Sequence, residues 1–279
     1  MKRLLAHISD RLNKIYDSRE LDVVAAALCL EYLEIPQTTY YLKDKYELTS
    51  ARQQMLADAL NRLANGEPLQ YVVGTTPFCG LQFKVDRNVL IPRPETAELI
   101  EWVTESVKSE CSILDIGTGS GCIAVTLSHR LPGAKIEACD VSEDALHIAS
   151  VNAELNKTSV RFYRRDILKE WDSDKKYDVI VSNPPYIADH EKQSMEKTVL
   201  DYEPHLALFV DNPDSLLFYR AIAEFGNRNL NKGGLLFLEI NPLYVNEMVE
   251  MLKSTGYSNI EIRKDIFGKD RMIKADIYG

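Results

Sequence analysis

Two short stretches hold side chains whose types and spacing can do chemistry. In the first, the apolar run YDVIVSN ends at Asn183 and passes into Pro184-Pro185-Tyr186. Proline has no N–H and a fixed φ, so this pair cannot continue a strand. The carbonyls of the pair stay free as acceptors, next to the Asn183 amide. A ligand with N–H groups to donate fits such a place. In the second, ILDIGTGSGCIA sets Gly117, Gly119 and Gly121 between an apolar strand and a helix. Glycines there permit a tight turn and let backbone N–H groups come close to a ligand. The dinucleotide fingerprint GxGxxG would need its third glycine at Cys122, and this chain has GxGxG instead. Asp140 ends the next strand, where a carboxylate takes the two hydroxyls of a ribose. An adenosine-type cofactor follows, without a clear place for a pyrophosphate.

The elements that position these residues are legible in the pattern. The first 75 or so residues read as helices. DSRELDVVAAALCLEYLEI offers Asp17 or Ser18 as N-cap, with Leu21, Val24 and Leu28 at helical spacing. LTSARQQMLADALNRLANGEP begins at Thr49 or Ser50, carries Leu56, Leu60 and Leu63 on one face and stops at Asn65-Gly66. The period then changes. LQFKV alternates, DRN turns and VLIP returns, which predicts a β-hairpin ending at Pro92. From Glu95 helices and apolar strands alternate: ETAELIEWVTESV, SILDIG, GCIAVTLSHRL, AKIEACDV and SEDALHIASVNAEL. The strands VRFYRRD and YDVIVSN come next, followed by an irregular stretch, a helix near SLLFYRAIAEF and the strand GGLLFLEI. The helix NEMVEMLKSTGY and two strands, NIEIRKDIFG and RMIKADIYG, close the chain. Such alternation means a doubly wound α/β sheet with ligands at the carboxyl ends of the strands. Two successive strands without a helical crossover require that one of them be antiparallel.

The glycine loop and the following acid together resemble the S-adenosylmethionine site of class I (Rossmann-like) methyltransferases. The resemblance implies that Asp115 and the loop Gly117, Thr118, Gly119, Ser120 and Gly121 surround the methionine part. It also implies that Asp140 binds the ribose, beside Val141. Asp166 in RRDIL would flank the adenine, with Ile167 and Leu168 packing on the ring. In that setting NPPY is similar to the motif of methyltransferases acting on adenine N6, guanine N2 or a glutamine side-chain amide. A planar amide or aromatic amine nitrogen is a poor nucleophile, because its lone pair is delocalised. Acceptors on both N–H bonds, here the Asn183 side chain and the Pro184 carbonyl, orient it and favour the charge that develops as the N–C bond forms. Pro185 belongs to the same motif, and Tyr186 can pack on the flat acceptor. Three further stretches resemble the protein-(glutamine-N5) methyltransferases, the HemK/PrmC family that modifies peptide chain release factors. They are GEPLQYVVGTTPFCGLQFKV (Gly66 to Val85), NVLIPRPETAELIEW (Asn88 to Trp102) and DYEPHLALF (Asp201 to Phe209), in the family's order. The chain departs from some members at Ile167, where they carry an aromatic residue.

The resemblance implies a helical substrate-docking domain over 1–75, a β-hairpin linker over 76–94 and a methyltransferase domain over 95–279. It implies transfer of a methyl group from S-adenosyl-L-methionine to N5 of the glutamine in the release-factor GGQ motif. The alternative is methylation of a nucleic-acid amino group, which calls for a basic groove. The net charge of −9 argues against one: residues 1–90 are neutral overall and the rest carry all of the excess acid. A dinucleotide-dependent dehydrogenase is disfavoured by the missing GxGxxG. The N-terminus MKRLLAHISDRL has no apolar segment of signal-peptide type, and no apolar run reaches the length of a membrane span. Five cysteines without CxxC pairing read as reduced, mostly buried thiols, and five isolated histidines give a metal site no support. A cytoplasmic monomer with a release factor as partner, and no direct contact with nucleic acid, is the expectation.

Overall fold

The computed structural model describes residues 1–171, 173–188, 191–192, 195–210 and 214–277. The chain divides into two compact units, Met1–Thr75 and Thr76–Gly279.

The first unit is helical: α1 (Lys2–Leu12), α2 (Ser18–Ala27), α3 (Gln37–Tyr41), α4 (Ser50–Ala64) and α5 (Leu69–Val73). Asp17, not Ser18, caps α2. Its carboxylate accepts from the N–H groups of Arg19 and Glu20, and the Glu20 carboxylate accepts from Asp17 N. This reciprocal pairing satisfies donors that the first helical turn leaves open. One π-type turn, Leu28–Tyr32, extends α2. Thr49 caps α4, and Gly66 leaves it with φ +87°. Ile8, Leu12, Leu28, Leu60 and Leu63 meet in a core belonging to this unit.

The second unit begins with a hairpin of β1 (Thr75–Phe78) and β2 (Leu81–Lys84). It lies one element earlier than the pattern predicts. Cys79 (φ +49°) and Gly80 (φ +79°) supply the two left-handed residues of a type I′ turn, so TTPF pairs with LQFK. VLIP forms no strand. It ends at Pro92 with Pro94 just beyond, and Val89 and Leu90 are used as cavity wall instead. Phe78 and Phe83 of the hairpin pack into the sheet core.

Beyond it come α6 (Pro94–Ser106), β3 (Ser112–Ile116), α7 (Cys122–Arg130), β4 (Lys135–Asp140), α8 (Glu143–Leu155), β5 (Val160–Arg164) and β6 (Tyr177–Ser182). Next are α9 (Lys197–Tyr202), α10 (His205–Leu208), α11 (Leu217–Asn229), β7 (Leu230–Glu239), α12 (Val245–Ser254), β8 (Tyr257–Lys264) and β9 (Asp270–Ile277). Seven strands form one sheet in the order β5-β4-β3-β6-β7-β9-β8. Only β9 runs against its neighbours β7 and β8, so the sheet has one antiparallel strand, as expected. Tyr278 and Gly279, counted in the closing strand from sequence, lie outside the described residues.

Period-2 alternation sends strand residues to two cores. Leu114, Ile180 and Leu238 face α11 and α12, whereas Ile113, Val179, Val181 and Phe237 face α6 and α7. Strands buried on both faces read as continuous apolar runs, which is why their sequences do not alternate. All five cysteines are free thiols, but only Cys29 and Cys139 are buried. The other three are half-buried at the rims of the core. No helix among the described residues is long and apolar enough to cross a membrane.

Candidate active site

Five parallel strands end on one side of the sheet, and each leaves its candidate residues there. Gly117 follows β3, Asp140 ends β4, Asp166 follows β5, Asn183 follows β6 and Glu239 ends β7. A cavity of about 240 Å³ opens at these ends, lined by the glycine loop, Asp140, Asp166 and Asn183 among others. It is the crevice that a doubly wound sheet makes where its strand order reverses, here between β3 and β6.

The glycine loop is held by local hydrogen bonds. Gly117 N and Thr118 N both donate to the Cys139 carbonyl, at 2.9 and 3.0 Å. Gly119 N donates to Asp140 Oδ2 and Ser142 N to Asp140 Oδ1, each at 2.9 Å. Burial raises the Asp140 carboxyl above its ordinary range, while these backbone donors pull it down. Each carboxylate oxygen keeps a second lone-pair site, so Asp140 can still accept from a ligand diol. Gly117 (φ +74°) and Gly119 (φ +54°) are left-handed, and a Cβ added to either would meet nothing within 4 Å. The open space beside them is room for a ligand against bare backbone. Donors, carboxylate and cradle therefore fit the nucleoside and amino-acid parts of S-adenosylmethionine. Val141, Thr118, Ser120, Asp166 and Ile167 line the same cavity.

Three of the expected residues do not line this cavity. Asp115 is fully buried beneath the loop rather than on the cavity wall, with Oδ2 accepting from Thr118 Oγ1 at 2.6 Å. Burial pushes this carboxyl up to about 7, against that hydrogen bond. Its place is to hold the loop's shape. Gly121 begins α7 with φ +80°, and a Cβ there would come 3.0 Å from Ala149 Cβ and 3.2 Å from its Cα. It serves close packing of α7 on α8. Leu168, expected on the adenine ring, is exposed and off the wall, because its N–H turns back to Asp166 Oδ1 at 3.0 Å.

At the other end of the cavity stand Asn183, Pro184 and Pro185. Ser182 Oγ donates to the Ile116 carbonyl at 2.6 Å, fixing where β6 ends against β3. Asn183 Nδ2 donates to Thr96 Oγ1 at 3.2 Å, and Thr96 Oγ1 donates to Glu239 Oε2 at 2.7 Å. Neither Asn183 Oδ1 nor the Pro184 carbonyl takes a donor among the described residues. Both remain available as acceptors. Tyr186, expected to flank the acceptor, is not on the wall: its ring packs into the core below, and its hydroxyl reaches Glu239 Oε1 at 3.4 Å. Burial raises that phenol further, so it stays a neutral donor.

A roof completes the site. Pro204, Leu206 and Ala207 line the cavity from the α9–α10 segment. Ile187 N donates to the Leu208 carbonyl, and Val210 N to the Ile187 carbonyl, so this segment is tied to the NPPY loop. Arg93 Nη2 meets the buried Glu203 Oε1 at 2.6 Å and joins the roof to the start of α6. Thr96, Glu239 and the Arg93–Glu203 pair were not singled out from sequence. Glu239 had a signal, as a lone acid ending an apolar strand where ligands bind.

Residues 3–74 match the PrmC N-terminal domain family, and residues 95–204 match the Methyltransferase small domain family. A release factor glutamine methyltransferase from Bacteroides thetaiotaomicron is 43% identical over 277 residues, 99% of this chain and 100% of that one. One from Flavobacterium psychrophilum is 43% identical over 270 residues, 95% of each chain. The crystal structure of a methyltransferase from Pyrococcus furiosus is 18% identical, covers 83% of this chain and 100% of that chain, and has a TM-score of 0.55, a likeness of fold. With these relatives matched almost end to end, the chain belongs to the release factor glutamine methyltransferase family.

Proposed function

We infer that this enzyme methylates the side-chain amide nitrogen (N5) of the glutamine in the GGQ motif of a peptide chain release factor. S-adenosylmethionine, when bound, supplies an electrophilic methyl group on a sulfonium sulfur. Asp140 and the backbone of Gly117–Ser120 would hold its nucleoside and amino-acid parts, with Asp166 and Ile167 beside the base.

The observation that carries the reading is the pair of free acceptors, Asn183 Oδ1 and the Pro184 carbonyl, in one cavity with the glycine loop. They take the two N–H bonds of the acceptor amide and hold its plane. The second Asn183 Nδ2 hydrogen remains to donate to the glutamine carbonyl, which distinguishes an amide from a plain amine. As the nitrogen bonds to carbon it becomes positive, and both oxygens stabilise that charge where it develops. The surplus proton leaves the product nitrogen after methylation, so no general base is required. The roof from Pro204 to Ala207 shields the transfer from water.

The helical unit serves to dock the release factor. The enzyme works as a monomer in the cytoplasm, without direct contact with nucleic acid. The acidic balance of residues 91–279 supports this last point. Mass spectrometry of purified release factor after incubation with enzyme and isotope-labelled S-adenosylmethionine tests the reading. One methyl on the GGQ glutamine is expected. A release factor left unmodified, with label in RNA or DNA instead, overturns it.

A further inference from the structure

We propose that Glu239 is a positioning residue which, through the hydroxyl of Thr96, decides which end of the Asn183 amide faces the acceptor glutamine. The inference rests on the reading of Asn183 given above and adds a residue that touches neither substrate nor cofactor.

Protons can be counted along a line of three side chains. Glu239 and Thr96 are each 2% exposed, so water cannot substitute for either partner. An ionised carboxylate only accepts. The single proton of Thr96 therefore goes to Glu239 Oε2, at 2.7 Å. The hydroxyl oxygen is left as an acceptor, and the group facing it must be a donor. Asn183 meets that demand with Nδ2, at 3.2 Å. Its oxygen is then turned away from Thr96, in a residue that lines the cavity. One carboxylate, two bonds away, fixes Oδ1 as the atom offered to the substrate.

Protonation of Glu239 reverses every step. A neutral carboxyl can donate to Thr96 Oγ1, Thr96 can donate onward, and Asn183 satisfies it by turning its amide half a revolution. The NH2 group would then face the NH2 of the acceptor, and the lone-pair arrangement that orients the nucleophile is lost. The ionised form is the productive one.

The surroundings set where that change occurs. Burial pushes the Glu239 carboxyl up to about 7. The Thr96 hydrogen bond, the Arg271 guanidinium from β9 and the Tyr186 hydroxyl oppose this, while Glu95 from α6 adds to it. Arg271 is itself tied to Asp265, with Nε 3.2 Å from Oδ2. From α11, the Tyr219 hydroxyl donates to the Glu239 main-chain carbonyl at 3.2 Å, which leaves the carboxyl untouched. Because the carboxyl must lose its proton, activity rises with pH through the neutral range and falls about tenfold per unit below it.

The test has two readouts. In the full-length protein without ligand, the side-chain 15N–1H2 resonances of Asn183, assigned by their loss in Asn183→Asp, are followed from pH 6 to 8.5. They should titrate with a single near-neutral midpoint in the wild type and stay flat in Glu239→Gln. On release factor, kcat against pH should show the same midpoint in the wild type and in Thr96→Ser. It should be absent in Thr96→Val and in Glu239→Gln. Asn183 resonances that do not move in the wild type, or an unchanged kcat midpoint in Glu239→Gln, overturn the proposal. The wild-type titration needs no variant, so a Glu239→Gln that fails to fold leaves it decidable. Should release factor prove not to be the substrate, the functional reading fails by itself, and the resonance titration still decides the relay.

Discussion

The two ends of the cavity each rest on a buried carboxylate at a strand end, yet they are built differently. At the cofactor end Asp115 holds Thr118, three residues away, and Asp140 holds Gly119 and Ser142 within the loops it joins. At the acceptor end Glu239 holds Thr96 across 143 positions, Thr96 holds Asn183 across 87, and Arg93 holds Glu203 across 110. Burial raises Asp115 and Glu239 alike to about 7. The first of these acids shapes a loop within one turn of chain. The second aligns three separate segments of the fold. A binding pocket can thus be local, whereas orienting a weak nucleophile takes groups that only tertiary structure brings together.

Variants can sharpen this contrast. The largest effect on cofactor binding should come from Asp140→Ala, which removes a carboxylate that accepts from two backbone N–H groups and, in the proposed site, from the ligand diol. A lost charge-assisted hydrogen bond costs ~1.5–3 kcal/mol, or roughly 10- to 150-fold in affinity. Calorimetric titration with S-adenosylmethionine measures it, and an unchanged affinity would remove Asp140 from the cofactor end. A smaller effect, on stability rather than binding, is expected of Gly121→Ala. A side chain in the left-handed region costs ~1–2 kcal/mol, and the Cβ must also displace Ala149, so Tm falls by ~2–8 °C. Equal melting curves would contradict the packing role. The smallest effect should follow deletion of residues 1–75. Among the described residues the cavity is lined by the second unit, which has its own cores, so affinity for S-adenosylmethionine should stay that of the full chain. Methylation of intact release factor should fall. A truncated enzyme with the full rate on that substrate would dismiss the docking role of the helical unit.

Sequence disclosed the cofactor end more fully than the acceptor end, for the same reason. GxGxG followed by an acid one strand later is a pattern within some two dozen residues, and periodicity placed the strands around it. Even there, spacing could not tell a residue on the wall from one beneath it: Asp115 and Gly121 stand in the motif, but one is buried under the loop and the other against α8. At the acceptor end NPPY was legible as a set of acceptors. What aims Asn183 was not, because Thr96 reads as an ordinary first-turn residue and Glu239 as the last letter of an apolar strand. The hairpin lies one strand earlier than its pattern for a local reason. DRN looks like a turn, while Cys79-Gly80 forms one only because cysteine there accepts a left-handed conformation.

The central claim, that Asn183 answers the glutamine amide with both an acceptor and a donor, is tested most directly by Asn183→Asp. Aspartate keeps the shape and the acceptor but loses the donor. It also faces Thr96, whose one proton is already committed to Glu239. An unpaired, repelled group in a closed site costs ~2–4 kcal/mol, or roughly 30- to 1000-fold in rate. Single-turnover methylation of release factor, measured beside calorimetric binding of S-adenosylmethionine, should show that loss of rate with cofactor affinity intact. Near-wild-type turnover by Asn183→Asp would contradict the account and return nucleic-acid amino groups to consideration.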